Sequence, residues 1–420
     1  MSLRTILKRA FTFNTIRQMT TASHLPMSPE TIATVKATAP VVAPLAHKIT
    51  ELFYPILFRD YPIALDFFNK TNQKKGSQSA ALGDAVIAYA SNIDNLGVLT
   101  GAVQAIQQRH VALGVTPELY GAVHASLMKA IAEVLGDAAT PEVAEGWSNA
   151  VLALAEICWT GEEALYKETE ARKGGWRLFK EFELVKKTTV SQDTVSFDFK
   201  AADGYSEGFE YEAGQYLTIK VVEGDTKMRR HYTVTSSASD DHVLQCTTRL
   251  CKGRGDNPDG AMSSFMHSDS FEVGTKVQLS APCGLYSAKG LKLEKGAPVA
   301  FVTAGIGATP ALALSKEGVV SVKGALHTDR SAEFGQGLVD KMTANFEANG
   351  ADAKIVPLFG VSRADVYDAI KKFGDDNKEC DFICCGPPGF MMSSAKALKE
   401  SGVDADKIHC EMFGTGSVKK

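Results

Sequence analysis

The sequence predicts three domains in a row: an all-helical one, an antiparallel β-barrel and a parallel α/β domain. Three observations carry this. From Ser28 to about Lys167 apolar residues recur at helical spacing. After the pair Gly174-Gly175 the period drops to two, and from about Gly296 short apolar runs alternate with helical stretches. A chain of 420 residues also exceeds the roughly 100 to 200 residues usual for one domain. The boundaries fall at 28–168, 169–290 and 291–420, after an N-terminal segment of residues 1–27.

The helical region opens at Ser28-Pro29, where a serine oxygen can accept from a first-turn amide and proline has no amide to lose. Stripes then run through Ile32, Val35, Val42 and Leu45, through Leu82, Val86 and Tyr89, through Val103, Ile106 and His110, and through Tyr120, Val123, Leu127 and Val134. In the second region Val195, Phe197 and Phe199 alternate with Ser196, Asp198 and Lys200, and Leu217, Ile219 and Val221 repeat the pattern. The third region offers strands at Val299–Thr303, Lys354–Phe359 and Phe382–Cys385, separated by helical stretches.

Composition narrows the function. With 45% hydrophobic and 22% charged residues the chain can bury sizeable cores. A net charge of -4 leaves no positive field for nucleic acid or an anionic membrane, so small molecules are the expected partners. The eight cysteines are scattered, which suits a reducing compartment better than a disulfide framework or a paired zinc site. The stretch Gly296–Ser315 is uncharged, but Pro298, Gly305, Gly307 and Pro310 make it a strand, a turn and a helix start rather than a membrane span. Residues before Glu30 carry Arg4, Lys8, Arg9 and Arg17 without an acid, and Leu3, Ile6, Leu7, Ala10 and Phe11 recur at helical spacing. This segment reads as a mitochondrial transit peptide or as a plain tail, with Met19 and Met27 as alternative starts. Cytoplasm, mitochondrial matrix or both are the expected locations, and a monomer the expected state.

Gly305-Ile306-Gly307-Ala308-Thr309-Pro310 follows an apolar strand and opens a helix, as a turn does when it lets backbone approach a pyrophosphate. Cys385-Gly386-Pro387 ends another strand, and in an open α/β sheet both loops would stand over one crevice. Upstream, Arg230-His231-Tyr232-Thr233 offers a guanidinium for a phosphate, a phenol to stack and a hydroxyl for a ring edge; Tyr216 precedes it, and Gly260 and Ser263 follow. Together these motifs resemble the ferredoxin-NADP reductase superfamily, which implies FAD on the tetrapeptide and NAD(P)H on the two loops. Glu411-Met412-Phe413-Gly414-Thr415 resembles the segment by which these reductases lay an aromatic ring on the flavin, with Met412 where the flavohaemoglobins among them more often have cysteine and Thr415 where they have proline.

Ahead of this module, Thr31–Thr38, Phe53-Tyr54, Asp66–Asn69 with Thr71–Gln73, and Tyr89–Leu96 closely resemble bacterial and fungal flavohaemoglobins. The resemblance spans about residues 28 to 415. It implies a globin with haem b held by His110 as iron ligand, Phe68 packed on the haem, and Tyr54, Gln78 and Leu82 in the distal pocket. Tyr120 and Glu162 would hydrogen bond around His110, and Arg109 and Glu411 would tune the redox centres. The activity implied is nitric oxide dioxygenase: hydride from NAD(P)H to FAD, single electrons to haem, and oxidation of nitric oxide by oxygen to nitrate. A general NAD(P)H:acceptor flavin reductase and an oxygen- or nitric oxide-sensing globin are the rivals. Pro55, directly after Tyr54, is a departure able to turn the phenol.

Overall fold

The computed structural model describes residues 27–68, 77–223, 226–237, 242–253, 255, 258–316, 318–411 and 413. The chain divides into two compact units, one ending at Tyr166 and one beginning at Lys167. The basic N-terminal segment lies outside the described residues, apart from Met27.

The first unit is helical. Its helices are α1 (Pro29–Val42), α2 (Ala46–Asp60), α3 (Ser77–Ser91), α4 (Thr100–Leu113), α5 (Pro117–Leu135) and α6 (Pro141–Ala171), with the division between units falling in the last turns of α6. Ser28 caps α1 as its sequence position predicts, its side chain accepting from the Thr31 amide at 3.1 Å. The run Pro29–Asp60 is long and apolar enough to cross a membrane by length and composition. Its Val35, Val42, Ile49, Phe53 and Leu57 are instead buried against Leu127, Ile131 and Trp147 in one core. Trp147 satisfies its indole N–H by donating to Thr38 Oγ1 at 2.9 Å. Helix α2 continues through Pro55 to Asp60.

The second unit holds both sheets. Strands β1 (Phe179–Ser191), β2 (Thr194–Ala201), β3 (Tyr216–Glu223), β4 (Thr226–Thr233), β5 (Leu244–Arg249) and β6 (Lys276–Ser280) form an antiparallel sheet in the order β4-β3-β6-β1-β2-β5. An antiparallel bridge from Val234, just past β4, to Cys246 in β5 joins the two edges and closes the sheet into a barrel. The alternation read from the sequence is the barrel's inside: Phe197, Phe199, Leu217, Ile219 and Val221 are all buried. The short helix α7 (Ala261–His267) packs against β4.

Strands β7 (Pro298–Ala304), β8 (Ser321–Asp329), β9 (Lys354–Phe359), β10 (Asp381–Cys385) and β11 (Ile408–Glu411) make a parallel sheet in the order β11-β10-β7-β8-β9. Its helices are α8 (Thr309–Lys316), α9 (Ala332–Ala348), α10 (Arg363–Asp376) and α11 (Pro388–Glu400). The uncharged stretch Gly296–Ser315 is thus β7, a tight turn and α8, with Phe301, Val302, Ala311 and Leu314 in the core. Winding runs from β7 through β8 to β9 and then returns to β10 on the other side of β7. The carboxyl ends of β7 and β10 therefore flank a topological switch point, where open α/β sheets form their crevice.

Candidate functional site

In the helical unit three residues from three helices converge. His110 lies in the last turn of α4, where Gly114 adopts a left-handed conformation (φ 75°) that ends the helix. The Val115 amide then donates to the His110 carbonyl at 2.9 Å and the Gly114 amide to Val111 at 3.1 Å, the paired closure of a Schellman turn. Tyr166 Oη, from α6, donates to the Val115 carbonyl at 2.8 Å and holds the turn.

One turn before His110, the buried Gln107 donates through Nε2 to the Ile157 carbonyl of α6 at 3.0 Å. This approach needs Gly161, because a Cβ there would stand 2.1 Å from Gln107 Nε2. Glu162 is the next residue. The contact thus brings its carboxylate to the imidazole: Glu162 Oε1 lies 2.8 Å from His110 Nδ1. Tyr120 of α5 donates to the same Oε1 at 2.5 Å, and its hydroxyl oxygen stands 2.9 Å from Nδ1. Facing a carboxylate, Nδ1 carries the ring proton, so the lone pair sits on Nε2. Burial first, then Cys158 and Glu162, pushes the Tyr120 phenol far above its usual range, so it stays a donor. The Cys158 thiol is pushed up to about 12 by burial and by Glu162, and is an inert neighbour.

Glu162 is almost wholly buried, whereas His110 keeps 33% of its side chain exposed. An imidazole held at Nδ1 with its Nε2 lone pair turned away from any protein partner among the described residues is the donor a haem iron takes. Val103 and Ile106, seven and four residues earlier on the same face of α4, are only half-buried and leave apolar surface on that face. These residues fit the group.

A second cluster joins Tyr54, Phe68, Gln78 and Leu82. Tyr54 is 7% exposed, edge-on to Phe68 with ring centres 5.4 Å apart, and its hydroxyl donates to the Gln78 carbonyl at 3.4 Å. Leu82 packs on the same core. Pro55 has not turned the phenol out of this cluster, because α2 is continuous through it. Burial raises the Tyr54 phenol well above its ordinary range and keeps it protonated. Arg109 is half-buried on α4 beside His110.

In the second unit the motifs also converge. Tyr216, Arg230, His231, Tyr232 and Thr233 lie on the paired strands β3 and β4, with His231 Nδ1 2.8 Å from Thr218 Oγ1 and the Tyr216 and His231 rings 5.0 Å apart. Among the described residues no carboxylate pairs with Arg230, and burial pulls its guanidinium below the ordinary range, so an anionic group fits there. Ser263 accepts from the Cys251 amide at 3.0 Å and donates to the Gly260 carbonyl at 2.9 Å, fixing the start of α7.

Thr309 ties this strand to the turn after β7, its Oγ1 standing 3.3 Å from Thr233 Oγ1 and 3.1 Å from the Ile306 carbonyl, which accepts. The turns after β7 and β10 touch. A Cβ on Gly307 would lie 2.4 Å from the Cys385 carbonyl and 2.8 Å from the Gly386 amide. Gly307, in the turn Gly305-Ile306-Gly307-Ala308-Thr309-Pro310, thus meets the Cys385–Gly386 peptide, and Pro387 follows it at the start of α11. Glu411 pairs with Cys385 across β10 and β11, and Phe413 is half-exposed. Met412, Gly414 and Thr415 lie outside the described residues.

Sequence reasoning missed an ionic cluster at this crevice. Arg249 of β5 is bracketed by Asp193 and Asp329, and Arg330 pairs with Asp193 while lying 3.6 Å over the Phe334 ring. Its members are up to 137 positions apart, and no local pattern joins them. The Gln107–Gly161 approach was missed as well, although a lone glycine inside a helical run signals close packing.

A helical unit with a histidine so held, followed by a barrel and a parallel nucleotide-type sheet, defines a fusion of a globin with a flavin-dependent oxidoreductase module. The Globin family matches residues 51–158 and the oxidoreductase FAD-binding domain family residues 181–287. The chain is 34% identical to the flavohemoprotein of Rhodopirellula baltica, over 92% of this chain and 98% of that relative. It is 33% identical to flavohemoprotein A of Dictyostelium discoideum, with coverage of 92% and 98%. The crystal structure of a flavohemoglobin from Malassezia yamatoensis, with bound FAD and heme, superposes with a TM-score of 0.78 at 26% identity, covering 92% of this chain and all of that one. The chain belongs to the flavohemoprotein family.

Proposed function

We propose that the chain is an NAD(P)H-dependent nitric oxide dioxygenase acting in nitric oxide detoxification. The observation that carries the reading is the imidazole of His110, polarised at Nδ1 by Glu162 and Tyr120. Oxygen storage needs no such push, whereas oxygen activation gains from an electron-rich ligand. When bound, haem b supplies the oxidation of nitric oxide by oxygen to nitrate, and FAD splits the hydride electron pair into single electrons.

The remaining work belongs to side chains. His110 would hold the iron through Nε2, with Phe68 and Leu82 giving apolar contact and Gln78 bordering the distal side. Tyr54, protonated through burial, would donate toward oxygen as negative charge develops there. Arg230 would hold a flavin phosphate, His231, Tyr232, Thr233 and Tyr216 would line the flavin, and Gly260 and Ser263 would shape the loop beside it. The turn Gly305–Pro310 would present backbone amides to the pyrophosphate of NAD(P)H, with Gly386 and Pro387 on its far side and Phe413 against the flavin. Glu411 and Arg109 would tune potentials. Monomeric protein in the cytoplasm or mitochondrial matrix completes the reading, the basic residues before Glu30 supporting the second location.

The purified protein should show a Soret band with a flavin shoulder, and NAD(P)H should drive nitric oxide consumption in oxygenated buffer. Absence of nitric oxide-dependent NAD(P)H oxidation would sink the activity. Tyr54→Phe should release oxygen roughly ten-fold faster, as loss of a bond worth about 1 to 3 kcal/mol implies. Its flavin reduction should be unchanged, and oxygen release equal to the parent's would remove Tyr54 from the role.

A further inference from the structure

The cluster around Arg249 is placed where the barrel meets the nucleotide-type sheet, within one compact unit. Arg249 ends barrel strand β5. Its Nε lies 3.1 Å from Asp193 Oδ1 and donates to Thr194 Oγ1 at 3.3 Å, both in the barrel. Its other edge crosses to the parallel sheet. Nη1 and Nη2 form a two-pronged grip on Asp329, the last residue of β8, at 3.2 and 2.6 Å, and Nη2 also donates to the Phe334 carbonyl of α9 at 2.8 Å. The same Nη1 stands 2.8 Å from where a Cβ on Gly305 would be, in contact with the first residue of the turn after β7.

All three charges are nearly covered, with side-chain exposures of 16% for Arg249, 10% for Asp193 and 4% for Asp329. Burying charges costs about as much as their attraction returns, so such a cluster is a poor way to gain stability and a good way to fix one geometry. Adhesion here has other sources. The Gln192 amide donates to the Glu333 carbonyl at 3.2 Å, and Gly337 of α9 comes so near the Val190 carbonyl that a Cβ would lie 1.7 Å away.

We propose that Arg249 is a positioning residue for hydride transfer: by gripping Asp193 in the barrel and Asp329 and Phe334 in the parallel domain while touching Gly305, it fixes the nucleotide-receiving turn relative to the flavin-receiving barrel. The inference rests on the function proposed above and adds a residue to it.

The test uses the full-chain holoprotein and the variants Arg249→Gln, Arg249→Lys and Asp329→Asn, the last removing one anchor should the arginine variants fold poorly. Flavin reduction by rising NADH is followed by stopped flow, FAD content by absorbance, and amide hydrogen exchange over 304–308 and 329–334, with strand residues 179–184, away from that junction, as internal reference. In Arg249→Gln the limiting rate of flavin reduction should fall roughly ten- to a hundred-fold, the loss expected of a displacement near 1 Å. The half-saturating NADH should move by less than about three-fold. Exchange should rise in both crevice segments and not in the reference strand, FAD content should hold, and Lys should restore only part of the rate. An unchanged limiting rate with FAD retained, a rise in half-saturation alone, or faster exchange shared by the reference strand would each overturn the proposal. Failure of NADH and NADPH to reduce flavin in the parent would instead remove the proposed function, and the exchange comparison alone would then decide whether Arg249 holds the turn.

Discussion

Glu162 and Asp193 are both buried carboxylates, and the two units hold them in opposite ways. Glu162 faces neutral donors, the Tyr120 hydroxyl and the His110 N–H. Its charge is not cancelled locally and is passed to the imidazole, whose other nitrogen stays available. Asp193 faces two guanidiniums, Arg249 and Arg330, and is neutralised where it stands. On the function proposed above, one carboxylate would act through a neighbour, and the other would hold geometry. A buried acid announces its purpose by whether its partners are neutral or charged.

The largest expected break in this comparison is His110→Ala, which should abolish haem retention, seen as loss of the Soret band, while FAD content and NAD(P)H-driven dye reduction persist. Full haem occupancy in the variant would show that the Glu162 arrangement serves no ligand.

Acid comes next, because among the described residues each unit buries a neutral histidine. His124, 3.0 Å from Ser148 Oγ, and His327, 2.8 Å from Thr303 Oγ1, are both pulled down to about 4, chiefly by burial. Between that value and the ordinary 6.5 the unfolded chain binds a proton that the folded chain refuses, so stability falls as pH drops through this window. Each histidine should cost up to about 3 kcal/mol by pH 4 and nothing above neutrality. Urea midpoints read by fluorescence, with Trp147 and Trp159 reporting the first unit and Trp176 the second, should decline over this range. His124→Gln should flatten only the first decline and His327→Gln only the second; unaltered slopes would mean that neither ring stays neutral.

Gly161→Ala sharpens the comparison from the backbone side. Helix propensity favours alanine by up to about 1 kcal/mol. The displaced Gln107 should more than reverse this, for a net loss of about 1 to 2 kcal/mol in urea unfolding of the first unit. Adding Gln107→Ala should recover part of the loss, and a stabilised single variant would mean that the close approach does not exist. The smallest effect belongs to Arg330→Ala. Although Arg330 is committed to Asp193, its side chain is 47% exposed at the end of β8, and the half-saturating NADPH should rise roughly three-fold more than that of NADH. Equal rises would remove Arg330 from contact with the 2′-phosphate.

What was legible in the sequence follows from range. Helical stripes, strand alternation and the breakers in Gly296–Ser315 are local, and they translated directly into α1 to α6, the barrel strands and the β7 turn. The grouping of His110, Tyr120 and Glu162 was legible only through the family resemblance, not from the helical stripes. Their meeting depends on helix packing over separations of 10, 42 and 52 residues. The Arg249 cluster has no periodic signature, since its members end or follow three different strands, β1, β5 and β8. The engagement of Asp329 and Arg330 with Asp193 and Arg249 is a property of how the barrel packs on the parallel sheet.

The position of His110 in the final turn of α4 has one more consequence. Aligned peptide dipoles give the carbonyl end of a helix roughly half a negative charge, felt within the last turn and worth about 0.3 to 1 kcal/mol to a nearby cation. Part of the field that makes this imidazole electron-rich is therefore supplied by the backbone itself. Neutralising Glu162 leaves that part in place, and only unwinding the end of α4 at Gly114 would take it away.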